Sequence, residues 1–276
     1  MKTVLSVIVP ASNEADYIAD CLNAVFASDP VPGGAEVVVV ANGCRDRTAD
    51  VARGLAAQAA QAGWRLTVLD LPQGGKPGAL NAGDAVATGD MRAYLDADVI
   101  VSAPLFAQLV QALAVDEVRY ASGTAVIPRA KSWVTRVYAR FWQRLPFAQA
   151  TAPGYGLFAV NAAGRRRWGA FPTIISDDTY VRLQFNPAER VQVPATYLWP
   201  MIEGFSALAR VRRRQDAGVR EIAGQWPELL DREGKARLTP GRILGLALSD
   251  LPGFAVYSAV SLAVRSGRSA GWTRGR

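Results

Sequence analysis

Short apolar runs separated by segments of helix length constrain this chain more than any other feature. Val4 to Val9, Val37 to Val40 and Leu66 to Leu71 are too short for buried helices and are rich in β-branched residues, so they read as strands; the first, closed by Pro10, reads as a strand buried on both faces. After the first run Ser12-Asn13-Glu14 starts a helix, with Ser12 or Asn13 as its cap and Ile18, Leu22, Val25 and Phe26 at helical spacing. After the second, Asn42-Gly43 makes a sharp turn, and Asp46-Arg47-Thr48 leads into an Ala-rich helix from about Ala49 to Ala62. Strands alternating with helices in this way predict βαβ units and a Rossmann-like, mostly parallel central sheet flanked by helices. In such sheets ligands bind beyond the carboxyl ends of the strands. Pro10 to Glu14, Ala41 to Asp46 and Asp96 to Val99 are therefore expected to converge on one crevice.

What that crevice can do is narrowed by what the 276 residues lack. There is no histidine, which removes Ser-His-Asp triads, Cys-His pairs and imidazole metal sites together. Catalysis must rest on carboxylates, Lys/Arg or a metal. Cys21 and Cys44 are too few for a disulfide framework or a thiolate metal site, and read as small core residues in a reducing compartment. No Gly-x-Gly-x-x-Gly follows the first strand and no Gly-Lys-Ser/Thr occurs, so neither the dinucleotide fingerprint nor the NTPase phosphate loop is present. The N-terminal run is read as a strand rather than an export signal.

Net charge is +7 but divided: residues 1–126 hold 8 Lys/Arg against 14 Asp/Glu, and 127–276 hold 23 against 10. An acidic half suits a metal; a basic half suits phosphates, an anionic surface or nothing more than a solvated face. Nucleic acid is not an expected partner, because the arginines lie in hydrophobic helices with no recognition motif.

Tyr94-Leu95-Asp96-Ala97-Asp98-Val99 places two carboxylates at the end of an apolar strand, where alternation points Asp96 and Asp98 the same way. Such a pair repels itself unless neutralised, and a hard divalent cation shared with substrate phosphates does this. Capping of the next helix by one aspartate is the structural alternative. Gly74-Gly75-Lys76-Pro77-Gly78 sets Lys76 before a helix from about Ala79, either as a phosphate contact or as a plain turn.

Four segments together, Val7-Ile8-Val9-Pro10-Ala11-Ser12-Asn13-Glu14, Val39 to Thr48, Gly75 to Asn81 and Asp96-Ala97-Asp98, resemble in order the motifs of the family 2 glycosyltransferases. The resemblance runs clearly over residues 4 to about 100 and more loosely to about 220. It implies a GT-A type α/β fold and an inverting transfer of sugar from a nucleoside-diphosphate sugar. By the same resemblance Pro10, Ala11, Asn13, Glu14 and Asn42 hold the base and ribose, Lys76 the nucleotide or a phosphate, Asp96 lies near the ribose, and Asp98 ligates Mg2+ or Mn2+. The family often carries aspartates where this chain has Ala41 and Asn42, which changes what the site can accept from a nucleobase.

In the second half, Ala152 to Ala159 resembles the family's glycine-containing acceptor strand, or is a closely packed strand. Ser176-Asp177-Asp178 stands where the family places its acidic pair, with Asp178 aligned to the general base and Asp177 beside it; a helix cap at Asp177 is the alternative. Arg210 to Gln215 loosely matches a basic motif, so Arg212 and Arg214 are candidates to grip the leaving diphosphate, or form a solvated face. Its departure from the processive pattern implies single transfers.

The chain thus divides into a nucleotide-sugar half (1–126), an acceptor and base half of the same domain (127–240), and a tail of apolar helices (241–276). Ile243 to Val264 has Asp250 as its only charge and Pro252 near its middle, which favours a broken, interfacial helix pair, with a span and an ordinary packed hairpin as the alternatives. Trp133, Tyr138, Phe141 and Trp142, interleaved with Arg136, Arg140 and Arg144, offer a second headgroup-facing surface or an amphipathic helix on the core. These features suggest a saccharide or lipid-linked acceptor and a cytoplasmic enzyme peripheral to, or anchored at, the inner face of a membrane. A nucleotidyltransferase and a non-catalytic nucleotide-binding module at a membrane are the rival readings.

Overall fold

The structure is a computed structural model that describes residues 4–234 and 238–266; the last ten residues of the expected tail lie outside the described ones. The chain opens with β1 (Leu5–Ala11), α1 (Ile18–Phe26), β2 (Ala35–Asn42), α2 (Thr48–Gly54), α3 (Ala56–Gln61), β3 (Arg65–Leu71), α4 (Lys76–Val86) and β4 (Met91–Leu95). It continues with β5 (Ile100–Val101), α5 (Leu105–Leu113), β6 (Tyr120–Val126), α6 (Trp133–Trp142), β7 (Leu157–Val160), α7 (Ala162–Arg165), α8 (Asp177–Arg182) and β8 (Arg190–Leu198). Three helices close it: α9 (Phe205–Gln225), α10 (Pro240–Ser249) and α11 (Leu251–Ser266).

All eight strands form one sheet in the order β3-β2-β1-β4-β7-β6-β8-β5. The first four are parallel, as the βαβ reading requires. Beyond β4 the sheet is mixed: β7 runs antiparallel to both β4 and β6, and β5 antiparallel to β8, while β6 and β8 are parallel. The valine-rich runs are strands because both faces are covered. Val7 and Val9 pack with Ile18, Cys21, Leu22 and Val25 of α1, and Ile8 packs on the other face with Leu80 of α4 and with Tyr94. A fully buried Leu or Ile contributes roughly 1.5–3 kcal/mol, so α1, with five buried apolar side chains, is held mainly by that face.

Boundaries differ from the sequence reading where tertiary contacts decide them. β1 runs through Pro10 to Ala11, still in register with Val40 and Ala41. The expected Ala-rich helix divides at Leu55, just after Gly54. α4 starts at Lys76 rather than Ala79, with Pro77 in its first turn, where the missing N–H costs no hydrogen bond. Neither Ser12 nor Asn13 caps α1, which begins after Tyr17 without a side-chain cap.

A third cluster joins Tyr138, Phe141, Trp142 and Leu145 to Leu208 and Ala209 of α9 and Val260 of α11. Three of the four α6 aromatics therefore face inward, and only Trp133 is exposed. α6 is the amphipathic helix on the core, not a headgroup-facing surface.

Candidate functional site

The loops after β1, β2 and β3 are laced together by their own polar groups. Asn42 is buried at the end of β2; its Nδ2 donates to the Ala11 carbonyl at 2.9 Å and to the Val40 carbonyl at 3.2 Å, and its Oδ1 accepts from Gly75 N at 2.9 Å. Asn13, at φ +55, accepts from Arg45 N at 2.7 Å instead of capping α1. Glu14 N donates to Thr48 Oγ1 at 2.8 Å, and Asp46 accepts from Ala15 N and Thr48 N at 3.2 and 3.0 Å. Gly43 sits at φ +56, where a Cβ would lie 2.7 Å from the Gly74 backbone, so the β2 and β3 loops touch main chain to main chain. The loops after β1 and β2 thus meet as the topology predicted, joined by the loop after β3, and of the three expected segments Pro10 and Asp96 reach the crevice itself.

Facing these loops is a crevice lined by Pro10, Lys76, Tyr94, Asp96, Gly154, Gly156, Phe158, Asp177 and Asp178, with Leu80 and Leu95 behind them. Lys76 is the only cation lining it among the described residues. Its ammonium lies 2.9 Å from Asp96 Oδ1 and 3.1 Å from Asp177 Oδ2, bridging carboxylates 81 residues apart in the chain. Burial works against that positive charge, but Asp177, Asp96 and Asp178 outweigh it and hold the lysine above its usual pKa. Burial pushes the Asp177 carboxyl up to about 6, opposed by Lys76 and reinforced by Asp178 and Asp96.

Both members of the acidic pair sit in the first turn of α8, yet they differ. Asp177 is buried against Lys76, while Asp178 is only partly buried and accepts from Thr179 N at 2.6 Å. Ser176 is the cap position, so capping does not explain Asp177. The Asp96-Ala97-Asp98 segment is a turn that follows β4, closed by Val99 N on the Asp96 carbonyl at 3.1 Å. Strand alternation therefore does not orient these carboxylates. Asp96 lines the crevice; Asp98, two residues along the same turn, is outside that lining and is close enough to Cys21 that its charge, with that of Asp96, adds to the burial that raises the thiol.

The crevice was legible where motifs marked it and not where aromatic residues floor it. Tyr94 and Phe158 stack at 4.8 Å, and the Tyr94 hydroxyl donates to Asp84 at 2.9 Å; in the sequence they are indistinguishable from core. Residues 152–156, read as part of a strand, form a loop before β7. Gly154 is left-handed there (φ +80), and a Cβ would fall 1.8 Å from the Tyr120 hydroxyl. Gly154→Ala is expected to destabilise the protein by about 2–4 kcal/mol, through backbone strain plus overpacking. Adding Tyr120→Phe, which removes the clashing oxygen, should recover part of that loss in denaturant melts.

The sequence model described as Glycosyl transferase family 2 matches residues 6–168, more than half of the chain and all of the loops that build this crevice except the acidic pair. The chain belongs to glycosyl transferase family 2. Among curated relatives, the glycosyltransferase AglE of Haloferax volcanii is 39% identical over 95 residues, covering 34% of this chain and 30% of that protein. An uncharacterized glycosyltransferase of Nostoc sp. is 36% identical over 94 residues, covering 34% of this chain and 28% of that protein. The matched region thus spans under a third of either relative. Solved structures resemble the whole fold. The mannosyltransferase PcManGT of Pyrobaculum calidifontis, in complex with GDP-Man and Mn2+, superposes with a TM-score of 0.59 at 21% identity over 97% of this chain and 77% of that one. TarS of S. aureus in complex with UDP-GlcNAc does so at 0.55 and 17%, over 95% and 82%. Glucosyl-3-phosphoglycerate synthase of Mycobacterium tuberculosis with Mn2+, UDP and glucosyl-3-phosphoglycerate gives 0.54 and 19%, over 80% and 79%. The fold is GT-A.

Family 2 membership raises the question of a divalent ion. Among the described residues no three His, Cys, Asp or Glu side chains form a metal cluster. The donor set is one turn with two carboxylates, one of them paired with Lys76. That chemistry fits a hard ion held by one or two carboxylates and completed by water and substrate phosphates, not a prebuilt protein cage.

The basic motif of α9 lies elsewhere. Arg212 Nε donates to Asp216 at 2.9 Å, and its Nη1 donates to the hydroxyls of Tyr257 and Tyr138 at 3.0 and 3.5 Å. Neither Arg212 nor Arg214 lines the crevice. Arg212 ties α9 to α6 and α11, and its burial follows from those partners.

The raised Asp177 pKa carries a stability signature. A carboxyl that titrates at about 6 in the folded protein and 3.8 in its ordinary state binds more protons when folded, so its contribution weakens as pH rises across that interval. Comparing wild type with Asp177→Asn, the difference in unfolding free energy should shift toward the variant between those two pH values and level off above the upper one. A difference that is flat across the interval would place the Asp177 proton elsewhere.

Proposed function

We propose that this family 2 protein transfers a single sugar from a nucleoside-diphosphate sugar to the hydroxyl of a saccharide or lipid-linked acceptor, with inversion at the anomeric carbon. The observation that carries the proposal is the Lys76 ammonium set between Asp96 and Asp177, which joins the motif segment after β4 to the acidic pair of α8 in one crevice. A phosphate-bearing donor that enters there meets a charged lysine and the edge of the β1, β2 and β3 loops.

In the proposed reaction Asp178, the more accessible carboxylate, accepts the acceptor's hydroxyl proton as its oxygen attacks the anomeric carbon. The bond from that carbon to the diphosphate breaks as the new bond forms, and the electron pair leaves with the nucleoside diphosphate. Direct displacement of this kind inverts configuration. Lys76 offsets negative charge on the departing oxygens, and Asp177 holds Lys76 in place. Asp98 would hold Mg2+ or Mn2+, with Asp96 beside it near the ribose; when bound, the ion would supply Lewis-acid neutralisation of the diphosphate. Asn42, whose donors are taken by two carbonyls, fixes the loop that frames the base. An aspartate there could not donate to the Ala11 and Val40 carbonyls.

The test is a panel of nucleotide sugars with Mn2+, read by thermal stabilisation and by slow donor hydrolysis. One donor should raise the melting temperature and release nucleoside diphosphate. Release of pyrophosphate would support nucleotidyl transfer, and stabilisation without any turnover would support a binding module.

A further inference from the structure

The C-terminal helices carry chemistry that the transfer reaction does not use. From Leu238 to Ser266 the chain has three charged residues, Arg242, Asp250 and Arg265. Asp250 marks the break between α10 and α11 and is the only acid of the segment. Its carboxylate is turned inward, 4% exposed, and accepts from Arg140 Nε and Nη2 at 2.8 and 2.6 Å and from Gly253 N at 3.0 Å. Arg140 belongs to α6, so the acid is neutralised by the body of the protein. Arg242 and Arg265, by contrast, are both exposed.

Five large apolar side chains of α10 and α11 are left outward. Leu244, Leu248, Leu251 and Leu262 are 59%, 68%, 61% and 63% exposed, and Ile243 is 41% exposed. α11 is anchored beneath this face: Phe141 packs on Phe254 and Tyr257, and Arg213 Nη2 donates to the Ala263 carbonyl at 2.9 Å. Between α6, α10 and α11 an apolar groove of about 360 Å³ opens beside it, lined by Phe141, Leu145, Leu246, Phe254, Tyr257 and Leu262. No helix among the described residues is long and apolar enough to cross a membrane.

We infer that the α10–α11 hairpin is a docking face for an anionic lipid bilayer, lying in the interface with its leucines among the acyl chains and Arg242 and Arg265 at the headgroups. Charge complementarity selects this occupant: the one acid that would repel anionic lipid is buried and paired, and every exposed charge on the two helices is positive. Helices of 10 and 16 residues with an outward row of leucines suit the plane of the interface rather than its normal. The groove gives a lipid tail somewhere to insert.

The test is co-sedimentation of the full chain with phosphatidylglycerol-containing vesicles and with pure phosphatidylcholine vesicles. It reads lipid contact whether or not sugar is transferred. Wild type should sediment with the anionic vesicles, less with the neutral ones, and less again as salt is raised. Leu244→Asp combined with Leu248→Asp should lower apparent affinity by about tenfold or more while leaving circular dichroism and melting unchanged, since both positions are exposed. Arg242→Ser should cost about fivefold on anionic vesicles and little on neutral ones. Three results would overturn the inference: wild type staying in the supernatant, the double variant sedimenting like wild type, or a wild-type dimer that the double variant splits, which would assign the face to a second copy of the chain.

Discussion

Replacing Asp178 by Asn is expected to reduce sugar transfer on the order of a hundredfold or more while the donor still binds, the scale set by loss of a general base. The substitution keeps shape, and it keeps an oxygen able to accept from Thr179 N, so α8 should stay intact. What it removes is a group able to take the acceptor's proton. Asp177→Asn is the informative comparison. Asp177 is buried against Lys76 and does not present an oxygen to solvent as Asp178 does. Its loss should weaken donor binding together with turnover, because Lys76 is left with Asp96 alone. A loss confined to kcat in Asp178→Asn and shared between kcat and donor affinity in Asp177→Asn would separate proton transfer from charge positioning. If Asp178→Asn turns over normally and Asp177→Asn does not, the base assignment belongs to the buried residue.

The parallel half of the fold was legible because its signals are local. Valine runs of strand length need only their own burial to be read, and the crevice at their carboxyl ends follows from topology. Past Leu95 the signals become long-range. β7 joins the sheet antiparallel between β4 and β6, a placement fixed by partners far away along the chain, which no short run of residues encodes. The site shows the same division. Lys76, Asp96, Asp177 and Asp178 are marked by motifs and meet in the crevice. Arg212 also looks like a phosphate ligand in sequence, yet its partners are Tyr138 and Tyr257, 74 and 45 residues away. Asp250 reads as a flaw in an apolar run until Arg140, 110 residues earlier, is seen to neutralise it. Arginine and aspartate side chains are ambiguous in sequence because burial with a partner and exposure to a ligand use the same donors and acceptors.

Asp98→Ala is expected to lower transfer by about a hundredfold, comparable to loss of one preorganised electrostatic contact to a leaving group. Because Asp98 lies outside the crevice lining, the loss should appear as altered metal dependence rather than as a collapsed pocket. Nucleotide alone should bind the variant nearly as well as wild type when Mn2+ is absent. The extra thermal stabilisation that Mn2+ brings to the wild-type nucleotide complex should shrink in the variant. Asp96→Ala should behave differently: Lys76 loses its 2.9 Å partner, so the crevice itself is disturbed and binding weakens with or without the ion. Calorimetric titration of nucleoside diphosphate with and without Mn2+ against both variants separates these outcomes. Full retention of the Mn2+ effect in Asp98→Ala would move the metal assignment off this residue and leave Asp96 as the carboxylate of that turn positioned to meet a bound donor.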